Sequence, residues 1–136
     1  MSVENILGIA SSALDAQSER ITLIAQNLAN ANSVESAEGG PYQRRIPVLQ
    51  PVAVGEDPQA GLGVKLAAVL RDNSTSKSVY DPSNPLADEN GMLQTPNVNP
   101  VFEMVDLMQA TRSYEANVSI IETAKTTALR TLDLLK

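Results

Sequence analysis

The sequence contains neither histidine nor cysteine. Without an imidazole there is no Ser-His-Asp triad and no histidine-ligated metal, and without a thiol there is no Cys-His dyad, zinc-thiolate site or disulfide framework. Tryptophan is also absent, and only three tyrosines and one phenylalanine remain as aromatics. Burial must therefore come mostly from aliphatic helix faces rather than from large rings. Ten basic residues against 16 acidic ones leave a formal charge of -6, and no basic cluster exceeds the pair Arg44 and Arg45. Such a chain repels a phosphate backbone, so nucleic acid is not an expected partner. No apolar run approaches the ~18 residues of a membrane span, and Glu4 stands where a leader would be basic, so neither membrane insertion nor a cleaved signal peptide is expected.

What survives chemically is carboxylate. Glu35 and Glu38 lie beside a Gly-Gly turn, and Glu56 and Asp57 beside Pro58. A hydrolase acting on cell-wall glycan would have to draw its acid pair from these four, but exposed turn acids are the plainer reading. Asp81, Asn84, Asp88, Asn90 and Gly91 bunch oxygen ligands near a glycine, yet Pro82 and Pro85 interrupt them and no glutamate follows until Glu103. That spacing does not make a calcium loop. Gly39-Gly40 is followed by Pro41, which lacks the amide donor a phosphate cradle needs. No catalytic, cofactor or metal site is expected.

The information is in the two ends. Leu7, Leu14, Ile21 and Leu28 recur every seventh residue, each followed three positions later by Ala10, Gln17, Ile24 or Ala31. Met104, Leu107, Thr111, Tyr114, Val118, Ile121, Lys125, Ala128, Leu132 and Leu135 alternate steps of three and four. Both are heptad seams, interrupted by Gln17, Thr111 and Lys125. A first helix is expected from about Val3 to Ala31, and a second from Pro100 to Leu135, with Asn99 as its cap and Pro100 in the first helical position. Acids Glu103 and Asp106 near its start and Arg130 near its end suit the helix dipole. A helix of the first one's length reaches roughly 45 Å, too long for so small a globule unless something lies alongside.

Six of seven glycines and seven of eight prolines fall between Asn32 and Asn99, so regular structure there must be short. Gln43 to Val54 and Gly63 to Asp72 read as the strands of a small hairpin, with Pro47 and Pro51 restricting the first to a sheet edge. Tyr80 to Pro96 reads as an ordered, extended loop. The expected fold is mainly α with a small β part: long terminal helices paired as an antiparallel coiled coil around an extended loop and β-hairpin. The division is 1–32, 33–99 and 100–136. Other covers for the seams are a membrane surface, disfavoured because Arg20 is the first helix's only cation, a self-contained helical hairpin, or one defined partner bound by a soluble coiled-coil adaptor.

Several ordered blocks carry a family likeness. Asn27-Leu-Ala-Asn-Ala-Asn-Ser33 resembles the N-terminal signature of bacterial flagellar rod and hook axial proteins. Gly39-Gly-Pro-Tyr-Gln-Arg-Arg45, Tyr80-Asp-Pro-Ser-Asn-Pro-Leu-Ala-Asp-Glu-Asn-Gly91, Pro96-Asn-Val-Asn99, Glu103-Met-Val-Asp106, Ala110-Thr-Arg-Ser-Tyr-Glu-Ala-Asn117 and Ala124-Lys125 are similar to the proximal-rod members of that family. Met92 and Pro100 depart from the pattern without touching a reactive group. The resemblance implies a non-enzymatic structural subunit of the basal-body rod, exported uncleaved through the flagellar type III apparatus. Its implied partners are copies of itself, the other proximal-rod proteins, the distal-rod protein and the protein joining rod to membrane ring. Leu7, Leu14, Ile21 and Leu28 would then meet Leu107, Tyr114, Val118, Ile121, Leu132 and Leu135 within the subunit. Faces such as Ile24, Val105 and Met108 would meet neighbours.

Overall fold

A computed structural model describes residues 3–37, 39–55 and 61–134. The order is α1 (Val3–Ala29), β1 (Arg45–Ala53), β2 (Leu62–Arg71), β3 (Lys77–Tyr80), β4 (Met92–Thr95) and α2 (Pro100–Asp133). Two terminal helices thus enclose a middle made of two separate two-stranded antiparallel sheets, β1-β2 and β3-β4.

Both helices end where local chemistry stops them. At the end of α1 the Asn30 side chain donates to the Gln26 carbonyl at 2.8 Å, and Ala31 N reaches back only to Leu28, a tightening that closes the helix two residues short of Ala31. At the start of α2, Asn99 adopts an extended backbone and its side-chain oxygen accepts from Val101 N at 3.1 Å, with Pro100 following as the sequence requires.

The first hairpin forms as the alternation in its strands demands. The Asp72 amide donates to the Arg44 carbonyl, which places the even-numbered amides of β1 in the ladder. Pro47 and Pro51 therefore turn their donorless nitrogens to the open edge. A register shift after Val48 bends the pair. The hairpin is fastened to α1 by Ser12, whose hydroxyl donates to the Ile9 carbonyl at 2.7 Å and accepts from Val64 N at 3.1 Å. Gly63 and Gly8 let the backbones approach, since a methyl group on either would collide with Ser12 or Val54.

The stretch from Tyr80 to Pro96, expected to be an extended loop, instead supplies β4 and the turns of a second hairpin whose other strand, β3, leads into it. Lys77 pairs with Thr95 and Tyr80 with Met92, while Gln94 donates to Ser78 Oγ across the strands at 2.7 Å. Four-residue strands fit between the prolines that exclude longer ones. The intervening turns are held by their own side chains, Asp81 accepting from Ser83, Asn84 from Leu86 N, and Asp88 from the amides of Asn90 and Met92.

α1 packs against both β2 and α2. The buried apolar residues are small or few: Ala10, Ala16, Leu23, Ile24, Tyr42, Leu93, Val98 and Ala110. At one end Asn27 meets Glu103, and near the other Val3 and Ile6 share a groove of about 330 Å³ with residues from Ser119 to Thr127. The covered face of α2 is rotated from the expected seam. Glu103 and Ala110 are fully buried and Asn117 and Ala124 half-buried, whereas Met104, Thr111 and Lys125 lie exposed. Leu107, Ile121 and Ala128 belong to both readings and are half-buried. The two polar interruptions of the α2 pattern are thereby explained: Thr111 and Lys125 do not lie on the covered face.

Gly63→Ala is expected to destabilise the chain by about 1–3 kcal/mol, the usual toll of overpacking, because its methyl group would fall on Ser12 Oγ and lie 2.9 Å from Val54 Cγ2. Urea unfolding with an unchanged slope checks it; an unaltered midpoint contradicts the close approach.

Candidate functional site: a buried polar knot and two exposed faces

Where the end of α1, the start of β1 and the first turns of α2 converge, polar groups are buried rather than apolar ones. Asn27, 1% exposed, uses its full hydrogen-bonding capacity. Its amide nitrogen donates to the Arg45 carbonyl at 2.9 Å and to Glu103 Oε2 at 3.1 Å, and its oxygen accepts from Tyr42 Oη at 2.9 Å and from Arg45 N at 2.8 Å. Glu103 is completely buried and accepts from Arg44 Nε at 2.5 Å through its other oxygen. Arg44 reaches on to Asp106 at 3.4 Å, and its amide donates to Asn97 Oδ1 at 2.8 Å. Asn97 in turn donates to the Asp72 carbonyl and to Ser74 Oγ. One continuous network therefore ties α1, β1, the end of β2, the strand-to-helix connection and α2.

Electrostatics follow the geometry. Burial raises the Tyr42 phenol above its ordinary value; Arg45 opposes this and Glu103 adds to it. The phenol thus stays a donor to Asn27. Hydrogen bonds from the Ser74 backbone and side chain hold the exposed Asp72 carboxyl below its usual range. Arg20 approaches Asp106 only to 3.9 Å at a partly exposed position, a pair of small consequence.

The apolar residues singled out from the sequence are distributed over three environments. Ile24 is buried, and Leu7, Leu14, Ile21, Leu28, Leu107, Val118 and Ile121 are half-buried. Tyr114 stands at the border at 37% exposed. Val105, Met108 and Leu132 are exposed, joined by Val101, Phe102, Met104 and Leu129. Leu135 lies outside the described residues. Val105 and Met108 border a shallow hollow with Gln109, Arg112, Ser113 and Ala116. Of the turn acids, Glu35 is exposed at the rim of a groove of about 490 Å³, while Glu38, Glu56 and Asp57 lie outside the described residues. Among the described residues no group of three or more potential metal ligands comes together and no helix is long and apolar enough to cross a membrane.

The model of the flagellar basal body rod FlgEFG protein C-terminal family matches residues 89–134, which cover β4 and α2. Over 134 residues, 98% of each chain, the sequence is 48% identical to the flagellar basal-body rod protein FlgC of Salmonella typhimurium. It is 47% identical to that of Escherichia coli O157:H7 over 135 residues and 44% identical to that of Yersinia enterocolitica over 134, again 98% of each. The chain belongs to the FlgC family of flagellar basal-body rod proteins. It is a structural subunit of the rod, located in the basal body.

Sequence reasoning did not identify the knot, although its residues were in view. Asn27, Tyr42, Arg44, Arg45, Asn97, Glu103 and Asp106 all fall within blocks that resemble the FlgC family. Glu103 was accounted for by the helix dipole, which asks only for an acid in the first turn. The available signal was that four separated blocks each supplied polar residues beside an apolar run.

Asn27→Ala leaves Tyr42, Glu103 and both backbone groups of Arg45 short of a partner, so a loss on the order of 3 kcal/mol is expected in denaturant unfolding. The Tyr42 shift has a definite sign. As pH rises past the ordinary value of 10.0, the unfolded chain releases the phenolic proton before the folded one does. Stability from this group is full below about pH 10 and declines toward the raised folded value. Tyr42→Phe is expected to lessen the alkaline fall in stability, read from urea midpoints at about pH 8 and about pH 10.5.

Proposed function

We propose that this rod subunit builds its tube through its terminal helices. Residues 1–32 and 100–136 pair as an antiparallel coiled coil toward the inside, and 33–99 form an outer layer. The observation that carries this reading is the two-sided character of α2. One face is covered by α1, while Val101, Val105, Met108, Leu129 and Leu132 stand exposed along the helix. Large apolar side chains left uncovered on an elongated element call for neighbours. In a tube those neighbours are sister copies and the other proximal-rod, distal-rod and ring-junction proteins, contacting one another through heterologous, non-closing interfaces.

Rigidity in such an assembly comes from repeating a modest interface many times, and no step requires catalysis. Leu7, Leu14, Ile21 and Leu28 serve the contact inside the subunit with Leu107, Tyr114, Val118 and Ile121. Val105 and Met108 serve contacts between subunits, joined by Leu132, which the sequence pattern assigned to the contact inside the subunit but which stands exposed. Delivery to the rod is through the flagellar type III export apparatus.

The decisive comparison uses one exposed and one half-buried site. Met108→Asp, at a position 57% exposed, is expected to change the stability of the isolated chain by no more than about 0.5 kcal/mol yet abolish swimming. Ile121→Asp is expected to lower both, because it sets an unpaired charge in the helix contact. Parental swimming by the Met108→Asp strain would remove this face from the interface.

A further inference from the structure

We propose that the Glu103 knot is a phase selector: it decides which face of α2 turns toward α1, and thereby which face is left for neighbours. α2 carries two overlapping heptad seams that share Leu107, Tyr114, Ile121 and Ala128. One adds Met104, Thr111, Val118 and Lys125; the other adds Glu103, Ala110, Asn117 and Ala124. The two are related by a helix rotation of roughly 50°, half of the ~100° between successive residues.

On hydrophobicity the first seam wins. It would bury Met104 and cover further the already half-buried Val118, and the Lys125 stem could run outward to water. The chain instead buries Glu103 and Ala110 and leaves Met104 52% exposed. Only the knot reverses that preference. Glu103 finds Arg44 and Asn27 already placed by β1 and by the end of α1, and in the other phase the Arg44 and Asn27 groups would lose it. Asn117 makes no counter-demand, because its amide is satisfied within α2 by the Ser113 carbonyl at 2.9 Å. Buried polar groups that lower stability yet specify register are the best-attested use of such pairs.

The consequence is an assembly surface. With the knot closed, Met104, Val105 and Met108 face outward together; with α2 rotated, Met104 would be spent on α1. The phase claim stands on the single chain, and it rests on the proposed tube reading only for its effect on swimming.

Because the chain has no cysteine, single cysteines at Ala124 and Lys125 report the phase through their alkylation rates in the purified full-length protein. In the parent, the thiol at 125 is expected to react faster than the one at 124. Glu103→Leu is expected to reverse that order and stop swimming, while Glu103→Gln, which still accepts from Arg44, keeps the parental order. Adding Met104→Glu to Glu103→Leu makes the rotated phase bury an unpaired acid, so the parental order and swimming are expected to return. Equal rates in the parent, an unreversed order in Glu103→Leu, or a loss of helix that Met104→Glu does not restore would each overturn the selector. A reversed and restored rate order with swimming unaffected would leave the selector standing and count against the tube reading instead.

Discussion

A carboxylate removed completely from water is a heavy cost to the fold unless a cation and hydrogen-bond donors meet its two oxygens. Glu103 meets that condition through Arg44 and Asn27, and these two residues come from different parts of the chain. Much of the architecture follows from bringing them together. β1 must begin at Arg45, α1 must reach Asn27 before it ends, and α2 must start close enough for its first turn to enter the same pocket. Removing one member of such a set strands the others, which makes the middle segment and the helices interdependent although few large apolar groups join them.

The thinness of that apolar core is itself consequential. With four aromatics in the chain, alanines take several of its most buried positions. Ala10, Ala16 and Ala110 buy proximity, whereas Phe102, Met104 and Met108 remain outside. A chain that lived alone would be expected to spend its larger side chains internally. A rod subunit has the opposite need: its large groups are most useful where many copies multiply a single contact. The shallow hollow beside Val105 and Met108 and the groove beside Val3 and Ile6 lie at different points along the helix pair.

The elements themselves were legible because their causes are local. Asn99-Pro100 starts a helix, Asn30 stops one, alternation in Gly63 to Arg71 makes a strand, and prolines two turns of pleat apart confine β1 to an edge. The hairpin of β3 and β4 escaped notice because Ser78, Gln94 and Thr95 have no strong alternation, and their pairing depends on a partner 15 or more residues away. The blocks resembling the family contained the knot, yet nothing in one block reveals which other block it touches. Glu103 looks the same in sequence whether it faces solvent at a helix start or lies sealed beneath Arg44.

Heptad spacing by itself determined that two long helices exist and that each carries an apolar stripe, and the glycines and prolines between them determined that regular structure there is short and broken by turns. Composition by itself removed thiol and imidazole chemistry. Tertiary structure alone decided the rotation of α2, because its two adjacent seams differ by one residue at alternate positions and hydrophobic content favours the one less covered. In the proposed selector that choice is made across the fold by one ion pair and one amide-to-carboxylate hydrogen bond, between groups 59 and 76 residues apart, and no local pattern contains it.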